Sequence, residues 1–383
     1  MKITEVEISV FEVPMYPALT DVVEITSQTQ KKWKQSFSFS GAEAVPIQVM
    51  KVRTDEGIEG VSTVGDWRYT ELSWQQILQL RDIAIGKDPL DKDFLLETLG
   101  VASRFFEPGW IGAFDNCLWD ISGKYFGLPV AELLGVKKKK VQAYYNISGN
   151  SEEALFKDGD QALKKGYSVL KDHLSFSVEQ NLEVFKNLRS YFGPEVGLMH
   201  DAALTNYTFK EALNVGERLT LENYIWFEEP LRDRNLNECR ELVNLLNITV
   251  AGGETLMNEP DISKIWLDLN AFDTMRVNAR HGSSNVLDLA NYCALRNANV
   301  EPNSLGPLFG IIHAHLACAI ENVEWFETSP PSNGTAIAKK SGCLILSFPR
   351  MDGLLILMGL DGVHNGTGTC LSMQGRRYYS FCI

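Results

Sequence analysis

Apolar and polar residues change their spacing along the first third of the chain. Up to about residue 60 they alternate, as in MKITEVEISVFEV and VPIQVMKVRT, and Asp55-Glu56-Gly57 predicts a turn into a third strand, IEGVSTV. From 72 to 135 the apolar residues recur at helical spacing, with a break at Gly127-Leu128-Pro129 and an end at Gly135. Residues 1–135 are therefore predicted to form an α+β domain.

Two polar segments qualify this picture. Tyr16 to Gly41 is polar and rich in turn residues, which is typical of a mobile loop. The basic run Lys137–Lys140 is typical of a solvated boundary, and we expect the domain junction there.

From Val141 onward, strands and helices alternate. Helical stretches such as EQNLEVFKNLRSYFG and NVLDLANYCALRNA separate the apolar segments. Parallel strands need helical crossovers, so an eightfold alternation predicts a TIM-type (β/α)8-like barrel over residues 136–350. The eight predicted strands are VQAYYNIS, YSVLKDH, VGLMHD, YIWFE, ITVAGGE, AFDTMRVN, ANVEPN and VEWFE. Residues 351–383 differ in composition and are set apart as a C-terminal tail whose order the sequence does not determine.

Composition and net charge exclude some classes of binding partner. The chain has 383 residues, 45% of them hydrophobic and 22% charged, as in ordinary soluble globular proteins. A net charge of −13 argues against nucleic acid and anionic membranes as partners. An acidic substrate could still bind, because charges beyond about 8–10 Å are screened.

The cysteines and the N-terminus indicate the cellular compartment. Seven cysteines are scattered without CxxC spacing, which favours reduced thiols. The N-terminus lacks the long apolar core of a signal peptide, and no run of 18 apolar residues occurs. We therefore expect a cytoplasmic protein.

Three of the predicted strands end in a carboxylate. Asp201, Glu228 and Glu254 follow one another at intervals of 27 and 26 residues, the length of one strand–helix unit. The C-terminal ends of barrel strands converge at one mouth, and clustered oxygen ligands suit Mg2+. A single such carboxylate could be a helix N-cap or a salt-bridge partner, but three in consecutive units favour metal ligation.

A lysine and a histidine end the second barrel strand. Lys171 and His173 are two residues apart, so their side chains point to the same face of the strand. An ordinary surface lysine is the alternative for Lys171, but its position after YSVL places it at a strand end. We expect both side chains at the barrel mouth.

The order of these motifs resembles the mandelate racemase and muconate lactonizing subgroups of the enolase superfamily, over roughly residues 1–330. Trp119-Asp120, Gly123-Lys124 and Leu133-Leu134-Gly135 look like the helix that leads into that family's barrel. Lys171-Asp172-His173 stands where the family has Lys-x-Lys, and the three strand-end carboxylates match its Mg2+ ligands. The resemblance implies abstraction of the proton α to a carboxylate, giving an enediolate stabilised by Mg2+. Sites of this superfamily use a lysine or a histidine as the base, together with Mg2+.

The resemblance also implies roles for single residues. Lys171 would bind and polarise the substrate carboxylate, and Glu327 matches a carboxylate that hydrogen-bonds the enediolate side. His173 replaces the second lysine; with an unperturbed pKa of about 6.5 it could act as general base, or instead be structural or bind substrate. Glu229 would support the site beside its neighbour Glu228.

The opposite side of the barrel departs from the family. The mandelate racemase pattern has an Asp ending strand 6 and a His ending strand 7, whereas this chain has Asn278 and Asn303. Amides do not accept a proton at neutral pH but do hydrogen-bond hydroxyls, so Asn278 is predicted to bind substrate and Asn303 to serve the reaction.

Other polar residues in this part of the chain are not assigned to the missing acid–base dyad or to the metal. Asp273 comes five residues before Asn278, too early to replace the missing acid, and His281 is read as a loop residue. His313 and His315 lie on a predicted helix, where an i, i+2 pair does not share a face.

The sequence thus predicts a Mg2+-dependent acid-sugar dehydratase. The alternatives are an epimerase, racemase or cycloisomerase that uses the same enediolate, or a catalytically silent binding homologue. The expected partners are a small carboxylic acid and further copies of the chain, without nucleic acid or membrane.

Overall fold

The structure is a computed structural model. It describes residues 1–14, 22–26, 32–36, 44–65, 74–105, 109–203, 205–257, 259–303, 309–328 and 379–382.

The N-terminal part combines an antiparallel sheet with helices, as predicted. Its elements are β1 (Ile3–Pro14), β2 (Val22–Thr26), β3 (Lys32–Ser36), β4 (Ala44–Thr54), β5 (Glu59–Thr63), α1 (Trp74–Ala84), α2 (Lys92–Ala102), α3 (Gly109–Phe126) and α4 (Val130–Leu134). Strand β4 pairs with both β1 and β5. The apolar faces of this sheet and of α1, α2 and α3 bury a core of their own.

One prediction for this part was wrong. The segment from 16 to 41, expected to be a loop, contains the antiparallel hairpin of β2 and β3, in which Ile25 pairs with Trp33. The alternation in VVEIT and KWKQS is short and polar, so its strand signal is weak. The remaining residues of the segment lie outside the described ones.

The second part is an eight-stranded parallel barrel, and all eight predicted strands are confirmed. Its strands are β6 (Gln142–Asn146), β7 (Val169–Asp172), β8 (Gly197–Asp201), β9 (Trp226–Glu228), β10 (Thr249–Gly252), β11 (Thr274–Val277), β12 (Asn299–Pro302) and β13 (Trp325–Thr328). The helices between them are α5 (Glu152–Lys164), α6 (Val178–Phe192), α7 (Phe209–Leu221), α8 (Leu236–Leu245), α9 (Pro260–Asp268), α10 (Ser283–Ala294) and α11 (Phe309–Ala319).

Two kinds of contact join neighbouring strands around the barrel. Neighbouring strands from β6 to β12 pair in sequence order, and β13 returns to pair with β6. Between β12 and β13 the buried carboxylate of Glu301 bridges instead, accepting the backbone N–H groups of Glu324 at 3.1 Å and Trp325 at 2.8 Å. This side chain and one backbone bond, from the Val300 N–H to the Asn322 carbonyl at 2.9 Å, therefore join the chain across this seam.

Alternate residues along the strands face inward and outward. The outward ones pack against the helices in the main core. The inward ones form a lower apolar layer, made of Tyr144, Val169, Met199, Trp226, Ala251 and Trp325. The polar side chains described below lie one layer higher, so this apolar layer is the floor of the site.

The tail and the cysteines are described in part. Residues Tyr379–Cys382 form β14, which pairs antiparallel with β1; the rest of the tail lies outside the described residues. Four cysteines, 117, 239, 293 and 318, are buried free thiols, in keeping with the predicted reduced state. Within the described ranges, no helix is both long and apolar enough to cross a membrane.

Helix α3 attaches the N-terminal part to the barrel. Asn116 donates to the carbonyl of Ala279 at 2.7 Å and accepts from the hydroxyl of Ser283 at 2.7 Å. The Asp115 carboxylate accepts the N–H and the hydroxyl of Ser284, both at 2.7 Å. The helix is therefore bonded to the turn that follows β11.

Asp115 should make stability depend on pH. Burial raises the pKa of its carboxyl to about 6, although the bonds from Ser284 and the charge of Lys92 oppose the shift. Between pH 4 and 6 the folded state then holds a proton that the unfolded state has lost, so stability falls as pH rises. The shift corresponds to about 3 kcal/mol. Asp115→Asn keeps an acceptor and a donor for Ser284 and should remove this part of the pH dependence.

Chemical denaturation of wild type and Asp115→Asn from pH 4 to 7 measures the effect. Asp82→Asn, which removes the same charge from an exposed site, is the matched control. Parallel pH profiles of wild type and Asp115→Asn would show that Asp115 does not titrate in this window.

Candidate active site

A buried lysine lies at the centre of the inward-facing polar layer. The Lys171 side chain, on β7, is 1% exposed, and its Nζ lies 3.0 Å from Asp201 Oδ2 and 2.9 Å from Glu228 Oε2. Glu327 Oε1 is 3.6 Å from the same nitrogen. Burial alone would lower the pKa of Lys171, but these carboxylates outweigh it and hold the pKa well above its usual value. The structure thus brings together three residues predicted from different strands around one ammonium group.

A second buried cation, Arg276 on β11, was not predicted. Its Nε lies 2.7 Å from Glu228 Oε1, and its Nη2 lies 2.6 Å from Glu327 Oε2. Nη2 also donates to the hydroxyl of Tyr144 at 3.2 Å. Arg276 stands two residues before Asn278, so the strand alternation that placed Asn278 at the mouth also points Arg276 inward. That signal was available in the sequence.

The carboxylates of this cluster differ in how readily they take up a proton. Burial raises the pKa of Glu228 to about 7, since it outweighs the opposing charges of Arg276 and Lys171. For Glu327, the charges of Lys171 and Arg276 outweigh burial and lower the pKa to about 2. The pKa of Asp201 is well below its usual value, because Lys171 and His173 outweigh burial. A cation that binds Glu228 would therefore compete with a proton.

His173 lies on the same side as Lys171, as predicted, but nearer to solvent. Its side chain is 33% exposed, and Nε2 is 3.1 Å from Asp201 Oδ2. Burial lowers the pKa of the imidazole, and the Asp201 carboxylate outweighs this and raises it. An imidazole with one ring nitrogen at the mouth and a buried carboxylate partner has the geometry of a general base or acid.

The third predicted ligand, Glu254, begins a 3-10 turn directly after β10. Asp233 holds this turn by accepting the N–H groups of Gly253 at 3.1 Å and Thr255 at 2.8 Å. The Glu254 side chain is 20% exposed, and its Oε1 lies 3.8 Å from Arg280 Nη2. In the described part of the chain, no three His, Cys, Asp or Glu side chains form a ready metal-binding group.

The donor set nevertheless fits a hard divalent cation. Asp201 Oδ2 and Glu228 Oε2 already converge on one positively charged atom, Lys171 Nζ, so this position stabilises a cation. All three carboxylates supply the oxygen ligands that Mg2+ prefers. Neighbouring Glu229 adopts a left-handed backbone conformation, with φ 46°, and burial together with Glu254 and Asp233 raises the pKa of its carboxyl well above the usual value. This region is therefore rich in acidic groups that a cation would stabilise.

The two predicted asparagines meet on the opposite side. Asn278 Nδ2 donates to Asn303 Oδ1, and Asn278 Oδ1 accepts the N–H of Arg280 at 2.8 Å. Both side chains are buried, and among the described residues Asn303 Nδ2 has no hydrogen-bond partner. This side of the site offers amide donors and no basic group from these two residues.

The remaining polar residues bond to the backbone. His313 Nε2 accepts the N–H of Ala279 at 2.9 Å, and His315 Nδ1 accepts that of Ala131 at 3.1 Å. Burial lowers the pKa of His313 to about 3 and that of His315 to about 4, so both are neutral acceptors. Asp273 accepts the N–H of Val250 at 2.8 Å, at the start of β11.

Comparison with known families gives two matches along the chain. Residues 20–135 match the mandelate racemase / muconate lactonizing enzyme N-terminal domain, and residues 155–341 match the enolase C-terminal domain-like family.

Individual relatives agree with these matches. Arabinonate dehydratase of Saccharolobus solfataricus is 30% identical, over 60% of this chain and 63% of its own length. L-talarate/galactarate dehydratase of Salmonella typhimurium is 26% identical, over 74% of this chain and 73% of its own. The first match spans less than two thirds of the relative. Other relatives are named as cycloisomerases and epimerases.

A solved structure shares the fold. The magnesium complex of D-glucarate dehydratase from Agrobacterium tumefaciens superposes with a TM-score of 0.72, at 23% identity and over 86% of each chain. Two family matches in the expected order, a nearly closed parallel barrel and a capping sheet agree. The chain belongs to the mandelate racemase/muconate lactonizing enzyme family of the enolase superfamily.

Proposed function

We propose that this protein is a Mg2+-dependent enzyme that abstracts the proton α to a carboxylate, and that it is an acid-sugar dehydratase. The observation that carries the proposal is the convergence of Lys171 and His173 on Asp201 at one side of the barrel mouth. The Lys171 ammonium, which would bind the substrate carboxylate, then lies next to the His173 imidazole, which would take the α-proton.

The metal would be held by Asp201, Glu228 and Glu254. When bound, it would supply positive charge that stabilises the negative charge developing on the substrate carboxylate. Lys171 donates to two of these carboxylates, so a metal held by them would lengthen or exchange those bonds, and the ammonium has a further N–H for the substrate carboxylate.

The protein residues can account for the proton transfers. The ring nitrogen of His173 that does not contact Asp201 takes the α-proton, and the C–H electron pair forms the carbon–carbon double bond of the enediolate. The imidazolium then returns that proton to the β-hydroxyl, and the enediolate electron pair forms a double bond between Cα and Cβ as the Cβ–O bond breaks and water leaves. The remaining enol tautomerises to a 2-keto acid.

The asparagines favour elimination over racemisation. Racemisation needs a base on each face of the α-carbon, and neither Asn278 nor Asn303 accepts a proton at neutral pH. Their amide groups suit the hydroxyls of a polyhydroxy acid, and the two relatives described above are named as sugar-acid dehydratases. We therefore propose a sugar acid as substrate, with Asn278 among the groups that bind it and Asn303 serving the reaction.

Glu327 has a more indirect part in this scheme. Its carboxylate accepts from Asn146 Nδ2 at 2.7 Å and pairs with Arg276 and Lys171. An ionised carboxylate in these contacts orients Lys171, and we propose this role in addition to the contact with the enediolate side implied by the family.

An epimerase or cycloisomerase is the second candidate, because relatives with those names share the family. Incubation with a sugar-acid library in D2O, with and without Mg2+, separates the candidates. A dehydratase gives 2-keto acids only with Mg2+, and an epimerase gives substrate deuterated at the α-carbon. Lys171→Met is the matched negative control. Absence of both products and of deuterium exchange would leave a binding homologue.

Glu254→Gln should test the metal site directly. Loss of one ligand charge should weaken Mg2+ binding by more than the roughly 10–100-fold that loss of a supporting residue costs. Titration calorimetry measures this, with Glu259→Gln, whose side chain is exposed and pairs with Arg234, as control. Equal affinity in wild type and Glu254→Gln would place the third ligand elsewhere.

A further inference from the structure

A hydrogen-bonded aspartate and histidine lie on the outer face of the barrel, behind the site. Asp172 on β7 is directly opposite His200 on β8 in the strand register. The His200 Nδ1 and Asp172 Oδ1 atoms are 2.6 Å apart, and the side chains of His200 and Asp172 are 0% and 2% exposed. Neither side chain enters the barrel, so the proposed chemistry does not use them.

The surroundings of this pair are apolar and aromatic. The His200 ring lies 4.6 Å from the ring of Phe185 and 5.6 Å from that of Phe227, measured between centroids. Asp172 also accepts the N–H of Leu174 at 3.3 Å. Burying a carboxylate here costs desolvation energy that an apolar pair would avoid. Such a pair in a packed layer is better explained by the geometry that it imposes than by stability.

The pair occupies the positions between the site residues. Lys171 and His173 flank Asp172 along β7, and Asp201 follows His200 along β8. Since successive side chains of a strand point to opposite faces, the outer bond joins the two strands where their inner residues enter the site. Its directional geometry adds a side-chain link at the end of the backbone pairing of β7 with β8, which runs to this residue pair.

Inside the barrel, the side chains of the same two strands meet through contacts that the reaction would change. Lys171 and His173 both contact Oδ2 of Asp201, one of the carboxylates that would hold the metal. We infer that Asp172 and His200 are a positioning pair, which keeps Lys171 and His173 at a constant spacing from Asp201 when those inner contacts exchange. This inference rests on the proposed function for its catalytic meaning.

Three variants test the inference. Asp172→Val with His200→Val replaces the pair by apolar side chains and leaves no buried charge unpaired. Asp172→Asn keeps an acceptor for His200, and His200→Asn keeps a donor for Asp172, so both conserve the bond. Thermal unfolding reports the fold. Hydrogen exchange of peptides from 168–174 and 196–203 reports the two strand ends, and calorimetry reports Mg2+ affinity.

The double valine variant should unfold near the wild-type temperature, yet exchange amides at the ends of β7 and β8 about tenfold faster. It should also bind Mg2+ about tenfold more weakly, and its kcat should fall while its KM stays near the wild-type value. The two asparagine variants should stay within about threefold of wild type in each measurement, and they carry the test if the double variant does not fold.

Wild-type exchange and Mg2+ affinity in the double valine variant would overturn the inference, since the pair would then only fill space. Asparagine variants as defective as the double variant would overturn it as well, because the bond itself would not matter. A wild-type protein that binds no Mg2+ would overturn the proposed function instead, and the exchange measurement would still decide whether the pair positions the strands.

Discussion

Replacing His173 with alanine should lower kcat by about 10²–10⁴-fold, the usual contribution of a general base. Affinity for Mg2+ should change only a few-fold, since Asp201 keeps its contacts with Lys171 Nζ at 3.0 Å and with the N–H of Ala203 at 2.9 Å. Steady-state kinetics on a substrate found in the library, combined with calorimetry, measures both effects. Solvent deuterium exchange at the α-carbon should fall in parallel with kcat.

His281→Ala is the matched control for this prediction. His281 belongs to the 3-10 turn Ala279–His281 after β11, and its Nε2 accepts from Arg280 Nε at 3.0 Å. Its loss should therefore leave most of the activity. Full activity in His173→Ala would assign the base to another residue, and the dehydratase scheme would fail at its first step.

Replacing Arg276 with methionine should reduce the free energy of unfolding by about 3–5 kcal/mol, the cost of breaking a buried ion pair by removing one partner. The guanidinium pairs with Glu228 on one side and Glu327 on the other, and all three groups are buried. Methionine fills the space but leaves two carboxylates facing each other with only Lys171 between them. Chemical denaturation near neutral pH measures the loss.

Two further variants show whether the loss of stability comes from the buried ion pairs of Arg276. Arg276→Lys keeps the charge but not the planar fork, so it should recover only part of the loss. Arg296→Met removes a partly exposed arginine that pairs with Asp268, and should cost no more than about 1 kcal/mol. A loss below 1 kcal/mol in Arg276→Met would indicate that Glu228 and Glu327 are stable without the arginine.

Much of the barrel could be predicted because its signals are local. Each strand is a short apolar run between helices, and Asp201, Glu228 and Lys171 end such runs at the expected positions. The β2–β3 hairpin was missed because its strands are short and largely polar, so neither composition nor alternation separates them from a loop.

The site was predicted less completely than the barrel, because contacts between distant strands have no local signature. Alternation along β11 points Arg276 inward, but only the closed barrel places it between Glu228 and Glu327. The bond between Asp172 and His200 likewise depends on the register of β7 and β8. Glu254 is where the strand pattern expected it, and the Asp233 contacts that hold its turn come from a loop with no recognisable motif.

The attachment of α3 to the turn after β11 has a consequence for how the family can diverge. A Cβ added at Gly112 would lie 2.3 Å from the carbonyl oxygen of Arg280, and one at Gly282 would lie 2.8 Å from the Asp115 carboxylate. A larger side chain on either the helix or the turn would collide with the other, so a substitution on one requires a compensating substitution on the other. Exchange of capping domains between relatives would therefore succeed only where these two surfaces are transferred together.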